Sequence, residues 1–371
     1  MKRNNIALCS LMLLGVLFSC SKASLNYTQN GNWVARATFA GIPMGYGASF
    51  VVGNNAYVGT GYNPANPNVR LNTMYQYQAA TIPPTPTGYD SAYGGWTIVT
   101  AFPGQGRSNA VGFTIGSYGY LGAGTPDGYT PLSDFYQYNP ATNSWAQIDS
   151  LGVPGARAPR FDAVAFGFDT VGYVLTGTDN NYYFGDVWEY SPTANAWTPR
   201  VSMPGSPRSR ALTWTYKGKG YLVTGYTVGG QWAAGGNACY DFWRFDPTLP
   251  DNQAWTRLRD IYNTNPGTYD DSYTNIVRYW GAGFTILGTQ TGDKGYVTTG
   301  EYSSANAYTW EYDFATDLWT EKTPYEGGSR IGAVGFTIQN RGFVATGLNG
   351  SQGGQSDCRE FFPNQIYNQY D

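Results

Sequence analysis

The chain has 371 residues, 17% of them aromatic and 13% charged, with a net charge of −3 and no histidine. A nucleic-acid binder built on a basic stripe is excluded, as are His-bound metals and Ser-His-Asp or Cys-His catalysis. With Gly 49 and Pro 21, the composition describes an aromatic core cut by many tight turns.

Lys2 and Arg3 precede a short apolar run, Ile6 to Phe18, which reads as an export signal and is too short to span a membrane. It ends in Leu17-Phe18-Ser19-Cys20, which resembles the bacterial lipobox. That resemblance implies a signal peptide over residues 1–19, lipid on Cys20 and a polar tether over 20–31, leaving 32–371 as one domain. Acyl chains would hold the protein to a membrane by hydrocarbon burial. Ser21, in place of an Asp after the Cys, implies an outer-membrane lipoprotein of the cell envelope, periplasmic or surface-facing. Two cysteines remain, Cys239 and Cys358. An oxidising compartment permits a disulfide between them, and buried free thiols are the other reading.

From residue 56 onward one phrase recurs six times: small residue, aromatic, two residues, Thr or Ala, then Gly. Its closing glycines are Gly61, Gly124, Gly177, Gly225, Gly300 and Gly347, spaced 63, 53, 48, 75 and 47 residues apart. Such a period marks repeated supersecondary units. Each unit is expected to hold four strands, because alternation with β-branched and aromatic residues is the strand signal. The first is small and apolar, as in Ala48-Ser49-Phe50-Val51-Val52. The second is the recurring phrase. The third alternates aromatics, as in Trp188-Glu189-Tyr190. The fourth begins at Trp33, Trp96, Trp145, Trp197, Trp255 or Trp319.

Third strands such as Asp186-Val187-Trp188-Glu189-Tyr190, turns such as Asn139-Pro140-Ala141-Thr142-Asn143-Ser144-Trp145, and Pro-Arg before a first strand resemble kelch repeats across about residues 33–362. One departure stands out, since kelch repeats usually close the second strand with Gly-Gly. The resemblance implies an all-β fold: a six-bladed kelch-type β-propeller with four antiparallel strands per blade. Six first strands but a fourth strand at Trp33 ahead of them predict closure by the N-terminal strand, which completes the last blade and removes an exposed edge.

Three sets of residues are candidates for ligand binding. Arg107, Arg160, Arg208, Arg278 and Arg330 each stand six residues before a first-strand aromatic, with Met44 in the same place in blade 1 and Arg210 as an extra guanidinium in blade 4. Converging guanidiniums would attract carboxylate or sulfate; pairing with carbonyls or neighbouring Asp is the structural alternative. Asp134, Asp186, Asp241 and Asp357 recur four positions before a third-strand aromatic, as expected for turn or interblade bonding. The connection from Thr256 to Tyr279 carries Tyr262, Tyr269, Tyr273, Tyr279 and Trp280 with Asp260, Asp270 and Asp271, and the loop from Tyr226 to Ala238 carries Trp232. Aromatic faces beside carboxylates are what sugar and peptide recognition uses.

No cofactor is expected. Galactose oxidase, a kelch-propeller enzyme, uses two His for copper, and that site cannot be built here. The expected function is a membrane-anchored, non-catalytic module that binds a glycan or protein partner at the propeller mouth, without nucleic acid. The alternative is a cofactor-free carbohydrate enzyme like the periplasmic sialic-acid mutarotase, also a six-bladed propeller, with which the likeness is one of fold and compartment.

Overall fold

The computed structural model describes residues 30–80, 94–235, 237–262, 273, 275–350 and 353–370. Cys20, the expected signal and the expected tether up to residue 29 lie outside them; Asn30 and Gly31, expected in the tether, open the Asn30–Ala35 strand instead. Six four-stranded antiparallel sheets form the blades of a β-propeller. Blade 1 runs Ala48–Val52, Asn55–Gly59, Met74–Gln78 and Gly95–Val99. Blades 2 to 5 repeat that order, starting at Val111–Ile115, Val164–Gly167, Leu212–Tyr216 and Ala282–Thr289. Blade 6 takes Val334–Ile338, Arg341–Ala345 and Cys358–Ile366 from the C-terminal part of the chain. Its fourth strand is Asn30–Ala35, paired antiparallel with Trp33 opposite Phe361, so the expected clasp is present.

The recurring phrase now has a physical cause at each position. Its leading glycine makes room for the first-strand aromatic of the preceding blade. A Cβ on Gly172 would lie 2.3 Å from the Phe113 ring, and one on Gly342 would lie 2.1 Å from Phe284. Its Tyr stacks on the aromatic of its own first strand, as Tyr120 does on Phe113 at 5.2 Å. Its Thr or Ala is left-handed, with φ between 55° and 65° in all six blades, and the following Gly is left-handed too. A β-branched residue there costs on the order of 1–2 kcal/mol. The twist aims the Gly N–H at the next blade: Gly61 donates to the Arg107 carbonyl at 2.7 Å, Gly124 to Arg160, Gly177 to Arg208, Gly225 to Arg278, Gly300 to Arg330 and Gly347 to Met44. Met44, which replaces the arginine in blade 1, thereby completes the circle through its backbone alone.

Fourth-strand tryptophans bridge blades. Trp197 of blade 3 packs on Phe135 of blade 2 at 5.0 Å, and its indole N–H donates to the Asp149 carbonyl. Cys239 and Cys358 are buried free thiols in different blades. Burial pushes the Cys239 thiol up to about 11, so it stays protonated. Truncation of Trp197 to Ala empties a site between two blades, and urea unfolding should register a loss of about 3–5 kcal/mol. A loss below about 1 kcal/mol would mean the indole holds nothing together.

Candidate functional site

The five recurring arginines do not face the channel. Their side chains are 0–1% exposed. Arg107 forks onto Asp134 with two contacts of 2.7 Å and donates to the Ala123 carbonyl. Arg160 takes Asp186 and the Thr176 carbonyl, Arg208 takes Asp241 and the Thr224 carbonyl, and Arg330 takes Asp357 and the Thr346 carbonyl. Both series read from the sequence are thus two halves of one ion pair, the arginine buried throughout and the aspartate buried only at Asp241. The carbonyl to which each arginine donates belongs to the left-handed Thr or Ala, so the pair fixes the strained turn. The guanidiniums are spent there and offer nothing at the mouth.

Arg278 departs from this pattern. The blade 5 position equivalent to the aspartates is Tyr308, and Arg278 is fully buried against four backbone carbonyls, those of Asn275, Ile276, Thr299 and Tyr308. Burial without an adjacent carboxylate lowers its pKa to about 9, against a weaker opposing pull from Glu321.

The mouth is built two residues further along. Tyr46, Asn109, Asp162, Arg210, Trp280 and Gly332 occupy equivalent places in blades 1 to 6, and all six have φ between 53° and 62°. Their backbones form a closed ring. Asn109 N–H donates to the Tyr46 carbonyl, Asp162 to Asn109, Arg210 to Asp162, Trp280 to Arg210, Gly332 to Trp280 and Tyr46 to Gly332, each at 2.8–3.1 Å. This ring encloses a mouth pocket of about 110 Å³, above a channel of about 450 Å³ walled by the six first strands. Non-glycine residues held left-handed are costly and cluster where function needs them. Gly332 is small because a Cβ there would sit 2.5 Å from the Tyr46 ring.

The ring side chains interlock. Asp162 is 4% exposed and accepts from Asn109 Nδ2 at 2.5 Å, Trp280 Nε1 at 2.9 Å and Arg210 Nε at 3.1 Å. The Arg210 guanidinium lies 3.9 Å from the Trp280 ring centre and 4.7 Å from that of Tyr226. Its side chain is 22% exposed, and among the described residues nothing takes its two terminal nitrogens. Tyr279 packs edge-on against Tyr226 at 5.1 Å and exchanges backbone hydrogen bonds with Glu301. Burial, reinforced by the Glu301 carboxylate, pushes the Tyr279 phenol up to about 12. Burial also raises Tyr46, with Asp162 adding to it.

Of the residues singled out in the sequence, Arg210, Tyr279 and Trp280 come together at this mouth. Trp232 lies apart, in a separate groove beside blade 4. Tyr273 is buried, its hydroxyl accepting from Trp319 N–H, and Asp260 is tied to Arg257. Tyr269, Asp270 and Asp271 lie outside the described residues. Sequence reading missed Tyr46, Asn109, Asp162, Tyr226 and Glu301. A signal for the ring existed: two places after each Arg or Met44 the residue differs in every blade.

No family model matches the chain. An N-acetylneuraminate epimerase of Yersinia enterocolitica is 29% identical over 156 residues, 40% of this chain and 33% of that protein. One of Shigella sonnei is 33% identical over 94 residues, 24% of each chain. The matches thus span about a third and a quarter of these relatives. The solved structure of YjhT superposes with a TM-score of 0.62 at 16% identity, covering 87% of this chain and 95% of that one, which shows a shared fold. The chain is therefore a six-bladed β-propeller with distant similarity to N-acetylneuraminate epimerases.

Giving Arg278 the carboxylate that its counterparts have should strengthen the fold. Tyr308→Asp is expected to raise the unfolding free energy by about 1.5–3 kcal/mol, the worth of hydrogen bonds to a charged group. A loss of stability in chemical denaturation would show that the blade 5 pocket is not equivalent to the others.

Proposed function

We propose that the protein binds an acidic sugar at the Arg210 mouth and exchanges its anomers without a cofactor. The observation that carries this is the open pair of terminal nitrogens on Arg210, whose guanidinium lies against the Trp280 and Tyr226 rings. A planar guanidinium with two open nitrogens suits a carboxylate bidentately. The flanking rings suit the apolar face of a sugar. The similarity to N-acetylneuraminate epimerases supports the same class of ligand. On this reading the propeller is tethered through Cys20 at the outer membrane, where free sugars pass.

Exchange of a 2-keto acid sugar needs one base and one acid. The base removes the proton of the anomeric hydroxyl, and the acid protonates the ring oxygen. The bond from the anomeric carbon to the ring oxygen breaks, leaving an open-chain keto acid. Rotation and closure on the other face return both protons. Glu301 is the base and Tyr279 the acid. They form a bonded pair beside Arg210, and a phenol near 12 remains a proton donor at neutral pH. Asp162 serves to orient, because three donors already occupy it. That saturation also favours a second reading, in which the mouth binds the sugar and leaves its anomers unchanged.

Anomer exchange of N-acetylneuraminate followed by NMR tests this, with the buffer rate subtracted. The protein should accelerate exchange, and Tyr279→Phe should slow it by about 100-fold or more. Arg210→Gln should weaken sugar binding roughly 100-fold, from two charge-assisted hydrogen bonds of about 1.5 kcal/mol each. Since Tyr279 keeps its proton up to about 12, its contribution should stay level to about pH 10 and fall only above that. Tight binding with no acceleration would establish the second reading instead.

A further inference from the structure

The mouth pocket is small, and a larger groove lies near it. Between the second-to-third strand loops of blades 3 and 4 lies a space of about 680 Å³, walled by Tyr182, Tyr183, Pro204, Pro207, Gln231 and Trp232 among others. None of its lining residues is charged. The mouth, by contrast, is organised around Arg210, Asp162 and Glu301.

The two spaces are neighbours across Tyr226. Tyr183 lines the groove and packs on Tyr226 at 5.9 Å, and Tyr226 lies under Arg210. The far wall is fixed in place. Arg257 lies 4.8 Å from the Trp232 ring centre and is held by Asp260 at 2.9 Å, while Trp232 N–H reaches Ser206 Oγ. Gly230 permits this close approach, since a Cβ there would meet Thr227 at 2.6 Å. Tyr182 on the near wall is 70% exposed.

Chemistry decides what the groove takes. In a 2-keto acid sugar the carboxylate and the anomeric oxygen share one carbon. A carboxylate seated on Arg210 therefore keeps the anomeric oxygen close to Tyr226, the residue between Arg210 and the groove wall at Tyr183. Whatever is linked through that oxygen enters an uncharged, aromatic-walled space, the surroundings that suit neutral sugar rings. We propose that this groove is a subsite for neutral sugar joined glycosidically to the acidic sugar, so that the mouth recognises the acidic end of a glycan as well as the free sugar. This rests on the Arg210 reading above. A linked sugar cannot open its ring, so it binds without turnover and competes with the free sugar.

Calorimetric titration with N-acetylneuraminate, with the same sugar α-linked to lactose, and with lactose alone tests the proposal. The linked compound should bind at least tenfold more tightly than the free sugar. Tyr182→Ala and Trp232→Ala should each reduce that advantage and leave the free sugar's Kd within about twofold; Tyr182, being exposed, can be removed without risk to folding. Linked sugar binding no tighter than free sugar, or an advantage indifferent to both substitutions, would overturn the subsite while leaving the Arg210 reading standing. Absence of binding by either acidic compound would overturn both.

Discussion

Six backbone hydrogen bonds that run head to tail around the channel mouth, from Tyr46 to Asn109, Asp162, Arg210, Trp280, Gly332 and back, are the constraint on which the site depends. Each link requires a left-handed residue, and five of the six are not glycine. That strain, on the order of 1–2 kcal/mol per residue, persists because the blades on either side over-determine the backbone. In return, six equivalent positions present their side chains at one mouth. Position is fixed by the fold, so identity is free to vary, and the ring holds an aromatic, an amide, a carboxylate, a guanidinium, an indole and a gap.

A second circle lies outside the first. The Gly of each Thr-Gly turn donates to the backbone of the next blade, and the Arg–Asp pair grips the carbonyl of the left-handed residue before that Gly. Burying an ion pair offsets desolvation with Coulomb attraction and adds little net stability. Its geometric effect is larger: a bidentate fork and a carbonyl contact hold a strained turn in one arrangement. Blade 1 shows what is dispensable, since Met44 retains the backbone link with no guanidinium. Blade 5 shows a cost, since Arg278 keeps its charge with carbonyls in place of a carboxylate.

Blade number, the strand content of each repeat and the clasp at Trp33 were legible because they follow from periodicity, which the backbone must obey. The Gly before the Tyr was visible as a recurrence, but its cause, the ring of the preceding blade, lies 54 to 81 residues away in the sequence. The sequence leaves two readings of the arginines open, a ring at the mouth and pairing with carbonyls or neighbouring Asp, and the second is the one found. Their side chains turn outward to Asp134, Asp186, Asp241 and Asp357, and a sequence spacing does not give that direction. One clue was available: the arginine and the aspartate occur together in blades 2, 3, 4 and 6, and blade 1 lacks both. The mouth residues were partly legible. Arg210 stands out as an extra charge and Trp280 as part of an aromatic-rich connection, whereas Asp162 carries no signal of its own and gains its place only through three partners contributed by three other blades.

What distinguishes the mouth is the Arg210 guanidinium, whose terminal nitrogens are left open among the described residues beside Trp280 and Tyr226. The direct measurement is a crystal structure of the protein soaked with N-acetylneuraminate. The account requires the sugar carboxylate within hydrogen-bond reach of both Nη atoms of Arg210, with the ring over Trp280 and the anomeric carbon towards Tyr279 and Glu301. Sugar density at the opposite end of the channel, or at the mouth with its carboxylate turned away from Arg210, would contradict it.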